Sequence, residues 1–463
     1  MINNRENKMR LFNSLSRSFE TLEPIQKGRV GVYSCGPTVY STATIGNFRS
    51  FLAWDVLVRT LERNGLEVKF VMNITDVGHL VSDADTGEDK LEVGAKREGK
   101  SAWEIAKLYT AEFLSDMKRL NMREPDIMPK ATEHIAEQVA MIQVLEKKGF
   151  AYRISDGIYF DTSKIKNYGE LAGQALSEKE EGARIGVNDE KKNPADFALW
   201  KFSPEGTKRQ MEWDSPWGMG FPGWHIECTA MSTKYLGELY DIHTGGADLK
   251  MTHHPNEIAQ SEGANGTTEA NVWLHSEFLQ VDGGKMSKSL GNAYTIQELI
   301  DKGYDPLAFR YLCLTAHYRS HLNFTFESLD AAASALNRLR RFCSSLERGN
   351  DRAEEYENRF LRTISDDLNT PEALAILWEL IHDERLSQAA KASSISYFDR
   401  VFGLGLLTTT SFEIPDSVKK LVAERDEARE KRDFATSDSL RDKINSFGYT
   451  VEDTPNGTKI SKA

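Results

Sequence analysis

Cysteine is scarce in this chain: four among 463 residues, at Cys35, Cys228, Cys313 and Cys343. That excludes a disulfide scaffold and leaves buried thiols, nucleophiles or metal ligands. No apolar run approaches the roughly 18 residues that a membrane span needs, so no membrane-crossing helix is expected. The N-terminal stretch MINNRENKMRLFNSLSRSFE lacks an apolar signal core, and the expected location is the cytoplasm. Internal repeats are absent. Positive charge is not in excess either. A formal net charge of −12 argues against blanket coating of nucleic acid but permits a local basic groove. What is present is an ordinary globular composition, 40% hydrophobic and 28% charged, with length for a large core and about three domains.

The β-rich run RVGVYSC (29–35) reads as a buried strand. Leu52, Val56, Leu57 and Leu61 then fall at helical spacing, with Gly65 as a stop. EVKFVMNI (67–74) is a second strand. Strand, helix, strand makes a right-handed βαβ unit and an open parallel sheet. The polar, acidic stretch 77–101 reads as a loop, 102–150 as two helices, and 151–222 as a strand- and loop-rich insertion. Short strands resume at 238–243 and 271–281. From Leu329 through Leu346 apolar residues recur every three or four positions, and 331–407 reads as a helical bundle. One of its helices is expected to start with Thr370 as cap and Pro371 in the first turn. A charged helical run over 416–447 and a short hairpin close the chain.

Three stretches carry chemistry. Cys35 stands at the mouth of the first strand, Cys228 ends GWHIEC (223–228), and His253 and Glu257 lie four apart in HHPNE (253–257). Four apart on a helix means one face. Two thiolates, an imidazole and a carboxylate form a tetrahedral zinc set, although each cysteine taken singly reads equally as a core thiol. The second stretch, GGKMSKSLGN (283–292), places Lys285 and Lys288 on a short loop suited to a triphosphate's charge, or simply to solvent. The third, Thr44-Ile45-Gly46-Asn47, opens a helix after the first strand. Free N–H groups at such an end attract phosphate, and Gly46 allows close approach.

Taken together, the motifs resemble the cysteinyl-tRNA synthetases, a family of class I aminoacyl-tRNA synthetases. CGPTVY (35–40), NITD (73–76), DFALWK (196–201), SPWG (215–218), PGWHIEC (222–228) and HHPNEIAQSE (253–262) carry the likeness. KMSKSLGN (285–292), HYRSHLNF (317–324), DDLNTPEAL (366–374) and VEDTPNGT (451–458) continue it across nearly the whole chain. The resemblance implies an α/β fold: a Rossmann-like parallel-sheet catalytic domain with an insertion, then an α-helical bundle and a small mixed C-terminal domain. The implied division is 1–124 and 218–270 for the two catalytic halves, and 125–217 for the connective insertion. Residues 271–325 form the KMSKS-bearing stem-contact region, 326–410 the bundle and 411–463 the anticodon-binding domain.

The resemblance also assigns roles. Cys35, Cys228, His253 and Glu257 match the family's ligands to one zinc ion per chain, which selects the thiol of L-cysteine. Trp224 and His243 match walls of the amino-acid pocket, and Thr75 a position near the substrate's polar end. Lys288, supported by Lys285, matches the lysine that contacts ATP with its Mg2+; Asp248 matches a position near the ribose. The implied reaction is cysteinyl-adenylate formation and transfer to tRNA(Cys), by a monomer. The chain departs from the family pattern in four places, one of them after NITD, where VGHLVSDADTGEDK (77–90) replaces an acidic-acidic-lysine run. Thr44 and Asn47 replace the histidines of the signature, Phe221 stands where arginine is expected, and Ile460 replaces an aromatic residue. Two other readings stay open. One is the related cysteine:amino-sugar ligase of mycothiol synthesis, which needs no anticodon domain. The other, prompted by Thr44, is a non-catalytic tRNA-binding paralogue.

Overall fold

Strand β1 (Arg29–Ser34) is the β-branched and aromatic run, and it ends where Gly36-Pro37 forces a turn. Helix α1 (Ile45–Arg63) follows, capped by Thr44. It closes at Asn64, and Gly65 takes a φ of +82°, a left-handed conformation that glycine adopts without strain. Strand β2 (Glu67–Met72) returns parallel to β1, with Glu67 opposite Arg29. Strands β3 (Tyr240–Gly246) and β4 (Ala270–Ser276) add on the other side of β1. The order is β4-β3-β1-β2, all parallel. The computed structural model describes residues 8–78, 90–173, 189–204, 206, 209–286, 291–407, 416–447, 449–454 and 457–462.

Both faces of this sheet are buried, as parallel sheets require. Val30, Val32 and Ile242 join Phe48, Leu52 and Val56 of α1 in one core cluster. Tyr33, Val71 and Trp273 face the other way, toward Cys228 and Met231 of helix α2 (Trp224–Leu236). Helix α3 (His253–Asn265) connects β3 to β4. The chain leaves β1 toward β2 on one side, and β3 and β4 lie on the other. In open α/β sheets, the crevice beyond the strands' carboxyl ends at such a switch point is where ligands bind.

Between β2 and α2 run the helices Lys90–Glu98, Ala102–Arg119 and Ile135–Lys147. A four-stranded antiparallel sheet follows, built from Ala151–Ile154, Gly157–Phe160, Phe197–Phe202 and Gly220–Pro222. The expectation of a loop over 77–101 fails at Lys90–Glu98. Leu91 and Ala95, four apart, bury a narrow apolar stripe there that the surrounding charge obscures. Beyond β4, short helices Ile296–Asp301 and Pro306–Leu314 lead to four longer ones, Phe326–Ser344, Glu354–Ser365, Thr370–His382 and Gln388–Phe402. The third starts one residue earlier than expected. Asn369 is its cap, accepting from the Glu372 N–H at 3.3 Å, and Thr370 is already helical.

The first compact unit runs to Leu407, and the second begins at Thr408. The second holds helices Asp416–Glu430 and Phe434–Ser446 and the hairpin Tyr449–Thr454/Gly457–Lys462, around a core of Val418, Leu421, Ile444 and Tyr449. Among the described residues, no helix is long and apolar enough to cross a membrane.

Candidate metal centre and adjoining cleft

Cys35 is the first residue past β1. Its N–H donates to the Thr244 carbonyl of β3 at 3.1 Å, and the Gly36 N–H donates to Asn73 Oδ1 at 2.9 Å. A Cβ on Gly36 would lie 1.7 Å from the Asn73 carbonyl oxygen, so only glycine fits the turn that aims Cys35 inward. Cys228 arrives from the second turn of α2, and His253 and Glu257 from the first two turns of α3. All four are buried, and their donor atoms lie within 4.8 Å of one another. The two sulfurs are 3.8 Å apart, Cys35 Sγ is 3.7 Å from Glu257 Oε1, and His253 Nε2 is 3.0 Å from that oxygen. Glu257 Oε2 is buried and makes no hydrogen bond. A buried, under-satisfied carboxylate beside two thiols and an imidazole is a donor set that fits a metal ion.

The charge balance agrees. Cys35, facing Cys228, draws that thiol down to about 7 against the cost of burial. Burial and the same neighbour hold Cys35 well above the ordinary thiol range. Burial opposes ionisation of Glu257, yet His243 and His253 hold it well below the usual carboxylate range. Burial also works against charge on His253, but Glu257 and Cys228 raise it to about 10. One cation enclosed by these groups answers all of these tensions together.

Of the three residues expected around the amino-acid pocket, His243 stands inside this cluster. Its ring lies between those of Tyr33, at 5.3 Å, and Trp273, at 4.4 Å. Its Nε2 is 3.6 Å from Cys35 Sγ and 3.5 Å from Glu257 Oε2. Trp224 is half-buried, with its ring 4.3 Å from that of His253. Thr75 is buried one loop away. Its N–H donates to the Pro37 carbonyl at 3.0 Å, and its hydroxyl accepts from Asn73 Nδ2 at 3.0 Å.

Three further histidines belong to the neighbourhood and were missed by the sequence reading. His225 Nδ1 meets His253 Nδ1 at 3.0 Å, and His275 Nε2 meets His254 Nδ1 at 2.8 Å. Only the doubled His253-His254 hinted at them. Were His253 to hold a metal through Nε2, its Nδ1–H would donate to His225, which would fix ring orientation and tautomer. His225→Phe is therefore expected to weaken metal binding about 10- to 100-fold, measured by competition with a chromogenic chelator, while His225→Asn recovers part of the loss.

The adjoining cleft is formed at the same sheet edge. Thr44 and Asn47 make a capping box. The Thr44 N–H and hydroxyl both donate to Asn47 Oδ1, at 2.9 and 2.8 Å, and the hydroxyl accepts from the Asn47 N–H. The Ile45 N–H donates to the Tyr294 carbonyl at 2.9 Å, and a Cβ on Gly46 would lie 2.2 Å from Met286 Cε. The N-terminus of α1 thus packs on the segments flanking the two candidate lysines. Lys285 closes the two-residue strand Gly284–Lys285; its side chain and all of Lys288 lie outside the described residues. Asp248 is exposed just past β3. A Cβ on Gly246 would meet Asp248 Oδ1 at 2.3 Å and Ser50 Oγ of α1 at 3.5 Å, which places Asp248 on the α1 side of the cleft. Phe221, which replaces an expected arginine, is buried with the Arg209 guanidinium 3.5 Å over its ring.

Residues 21–334 match the family described as tRNA synthetases class I (C) catalytic domain, and residues 412–460 match the Cysteinyl-tRNA ligase anticodon binding domain. A protein of Burkholderia lata named Cysteine--tRNA ligase 1 is 51% identical over 453 residues, covering 97% of this chain and 96% of its own. The chain belongs to the cysteine–tRNA ligase family. A second member, from Novosphingobium aromaticivorans, is 45% identical over 96% of this chain and 95% of its own. A solved structure of Mycobacterium tuberculosis methionyl-tRNA synthetase in complex with methionyl-adenylate has a TM-score of 0.55 over 83% of this chain and 92% of that one. At 14% identity it shows the shared class I, Rossmann-like fold. All four buried donors of the candidate metal site fall inside the segment that matches the family's catalytic domain.

Proposed function

We propose that this member of the family joins L-cysteine to tRNA(Cys) through a cysteinyl-adenylate, with one zinc ion at Cys35, Cys228, His253 and Glu257. The observation that carries the reading is the convergence of those four donors, from three distant segments, into one buried group within 4.8 Å. A zinc ion held by these residues would supply a soft Lewis acid that favours the substrate's thiolate over a serine hydroxyl. Trp224 and His243 wall the amino-acid pocket, and Thr75 holds the polar end.

The chain's own contribution to chemistry is positioning and charge. The N-terminus of α1 at Thr44, Gly46 and Asn47 receives the phosphates of ATP with their Mg2+. Asp248 takes the ribose, and Lys285 and Lys288 neutralise the triphosphate as the cysteine carboxylate attacks the α-phosphorus and pyrophosphate leaves. The terminal ribose hydroxyl of the tRNA then attacks the adenylate's carbonyl carbon, the acyl–phosphate bond breaks, and AMP leaves. No protein nucleophile is required. The match of 412–460 to an anticodon-binding domain favours tRNA over an amino sugar as acceptor. The reading includes a cytoplasmic monomer.

Pyrophosphate exchange with cysteine and with serine, with zinc measured on the same sample, tests the proposal. Cysteine-dependent exchange supports it. Absence of exchange leaves only the non-catalytic paralogue. Lys288→Ala is expected to slow the adenylate burst by roughly 100-fold or more, with little change in cysteine affinity. An unaltered burst counts against the lysine's role.

A further inference from the structure

We propose that the pocket contains a second, overlapping cation position, formed by His243, His254 and the shared Cys35 and Glu257, and that a thiophilic divalent cation bound there excludes the substrate thiol. The inference rests on the reading of Cys35, Cys228, His253 and Glu257 as the resident metal site.

The second set is as buried as the first, and its four donor atoms also lie within 4.8 Å of one another. Cys35 Sγ stands 3.6 Å from His243 Nε2 and 3.4 Å from His254 Nε2. Glu257 divides its oxygens. Oε1 faces His253 at 3.0 Å and lies 3.7 Å from Cys35 Sγ and 3.9 Å from His254 Nε2, while Oε2, which makes no hydrogen bond, faces His243 at 3.5 Å. A carboxylate so placed can bridge two ions, as in two-metal sites with ions about 3.5–4 Å apart. Both imidazoles are held from behind, His243 Nδ1 by Tyr240 Oη at 2.5 Å and His254 Nδ1 by His275 Nε2 at 2.8 Å. Their Nε2 atoms are thereby aimed at the shared sulfur. Ring nitrogens with a thiolate select zinc, cadmium or cobalt over magnesium or calcium. The second ion binds more weakly than the first, because Cys35 and Glu257 already serve the resident ion and the two donors left to it are imidazoles rather than anionic groups. Since His243 also walls the amino-acid pocket, the second ion and the substrate thiol draw on the same space.

The test is equilibrium dialysis of the full chain against zinc at free concentrations set by a chelator buffer, with metal counted per chain. Two ions per chain in separable steps are expected, with cysteine displacing only the weaker. Buffered excess zinc should inhibit cysteine-dependent pyrophosphate exchange in competition with cysteine. His254→Gln is expected to keep the tight ion, lose the second, and raise the inhibitory zinc concentration at least ~10-fold, the scale of one lost imidazole contact. Retention of the tight ion reports an intact pocket. Should that variant lose both ions, His275→Gln, which frees the back of His254, gives the same reading: a weakened second step only. A plateau at one ion per chain, or a second step that neither variant moves, overturns the proposal. Absence of even a tight ion overturns instead the resident-site reading on which it rests.

Discussion

Cys228→Ser is expected to cost metal and substrate together: zinc affinity should fall at least ~100-fold, a loss no smaller than that of an outer-shell contact, and cysteine-dependent exchange should fall with it. The physical reason is ionisation and softness. The Cys228 thiol, drawn down to about 7 by Cys35 beside it, gives up its proton more readily than an ordinary thiol. A serine hydroxyl in the same place stays protonated and offers a harder oxygen. The remaining donors, Cys35, His253 and Glu257, would hold an ion with one fewer anionic ligand. With one of the four donors gone, an ion there would be held less tightly, and its preference for the substrate's thiol over a hydroxyl would weaken with it. Metal content of the purified variant and its exchange kinetics across cysteine concentrations decide the matter. Full occupancy with unchanged cysteine affinity would refute the ligand assignment.

Much of this centre was legible because its parts sit on local patterns. The strand before Cys35, the helix after it and the returning strand follow from periodicity and from Gly36-Pro37 and Gly65. His253 and Glu257 follow from a spacing of four on a helix, and the structure sets their side chains 3.0 Å apart. What local pattern left hidden depends on register between distant strands: His243 entered only through the family resemblance, and His275 not at all. His243 and His275 lie on neighbouring parallel strands, where Trp273 pairs with His243 and Gly245 with His275. No local pattern in either stretch announces that both rings turn toward the end of β1. His225 was hidden for the same reason, one helix pressing against another. Thr44 shows a different kind of miss. Against the family signature, Thr44 and Asn47 look like two lost histidines. In the fold they are a reciprocal cap that closes the first turn of α1, so the substitution leaves the start of that helix well formed.

Asp55→Ala is expected to destabilise the first unit by about 3–5 kcal/mol, the cost of leaving a buried charge without its partner. Arg310 is only 1% exposed, and its guanidinium donates to Asp55 Oδ2 at 2.5 Å, to the Phe402 carbonyl at 2.6 Å and to the Leu120 carbonyl at 2.9 Å. Asp55 in turn accepts from Arg59 Nε at 2.8 Å and from the Arg123 N–H at 2.6 Å. One buried carboxylate on α1 therefore ties together the helix Pro306–Leu314, the end of Gln388–Phe402 and the turns after Ala102–Arg119. A guanidinium cannot discharge itself as a lysine does, so the alanine variant must bury the cation unpaired or open the joint. Burial opposes ionisation of Asp55, but Arg310 and Arg59 hold its carboxyl below the usual range. A depressed folded value means stability that is fully present above the ordinary carboxylate range and lost as pH falls through the lower one. The gap between wild type and variant in urea unfolding should accordingly be widest near neutral pH and narrow on acidification. The double variant Asp55→Leu, Arg310→Met should recover much of the loss, because removing both charges also removes the desolvation they carry. A single variant within about 0.5 kcal/mol of wild type, the range of an ordinary surface change, would show that this joint does not hold the unit together.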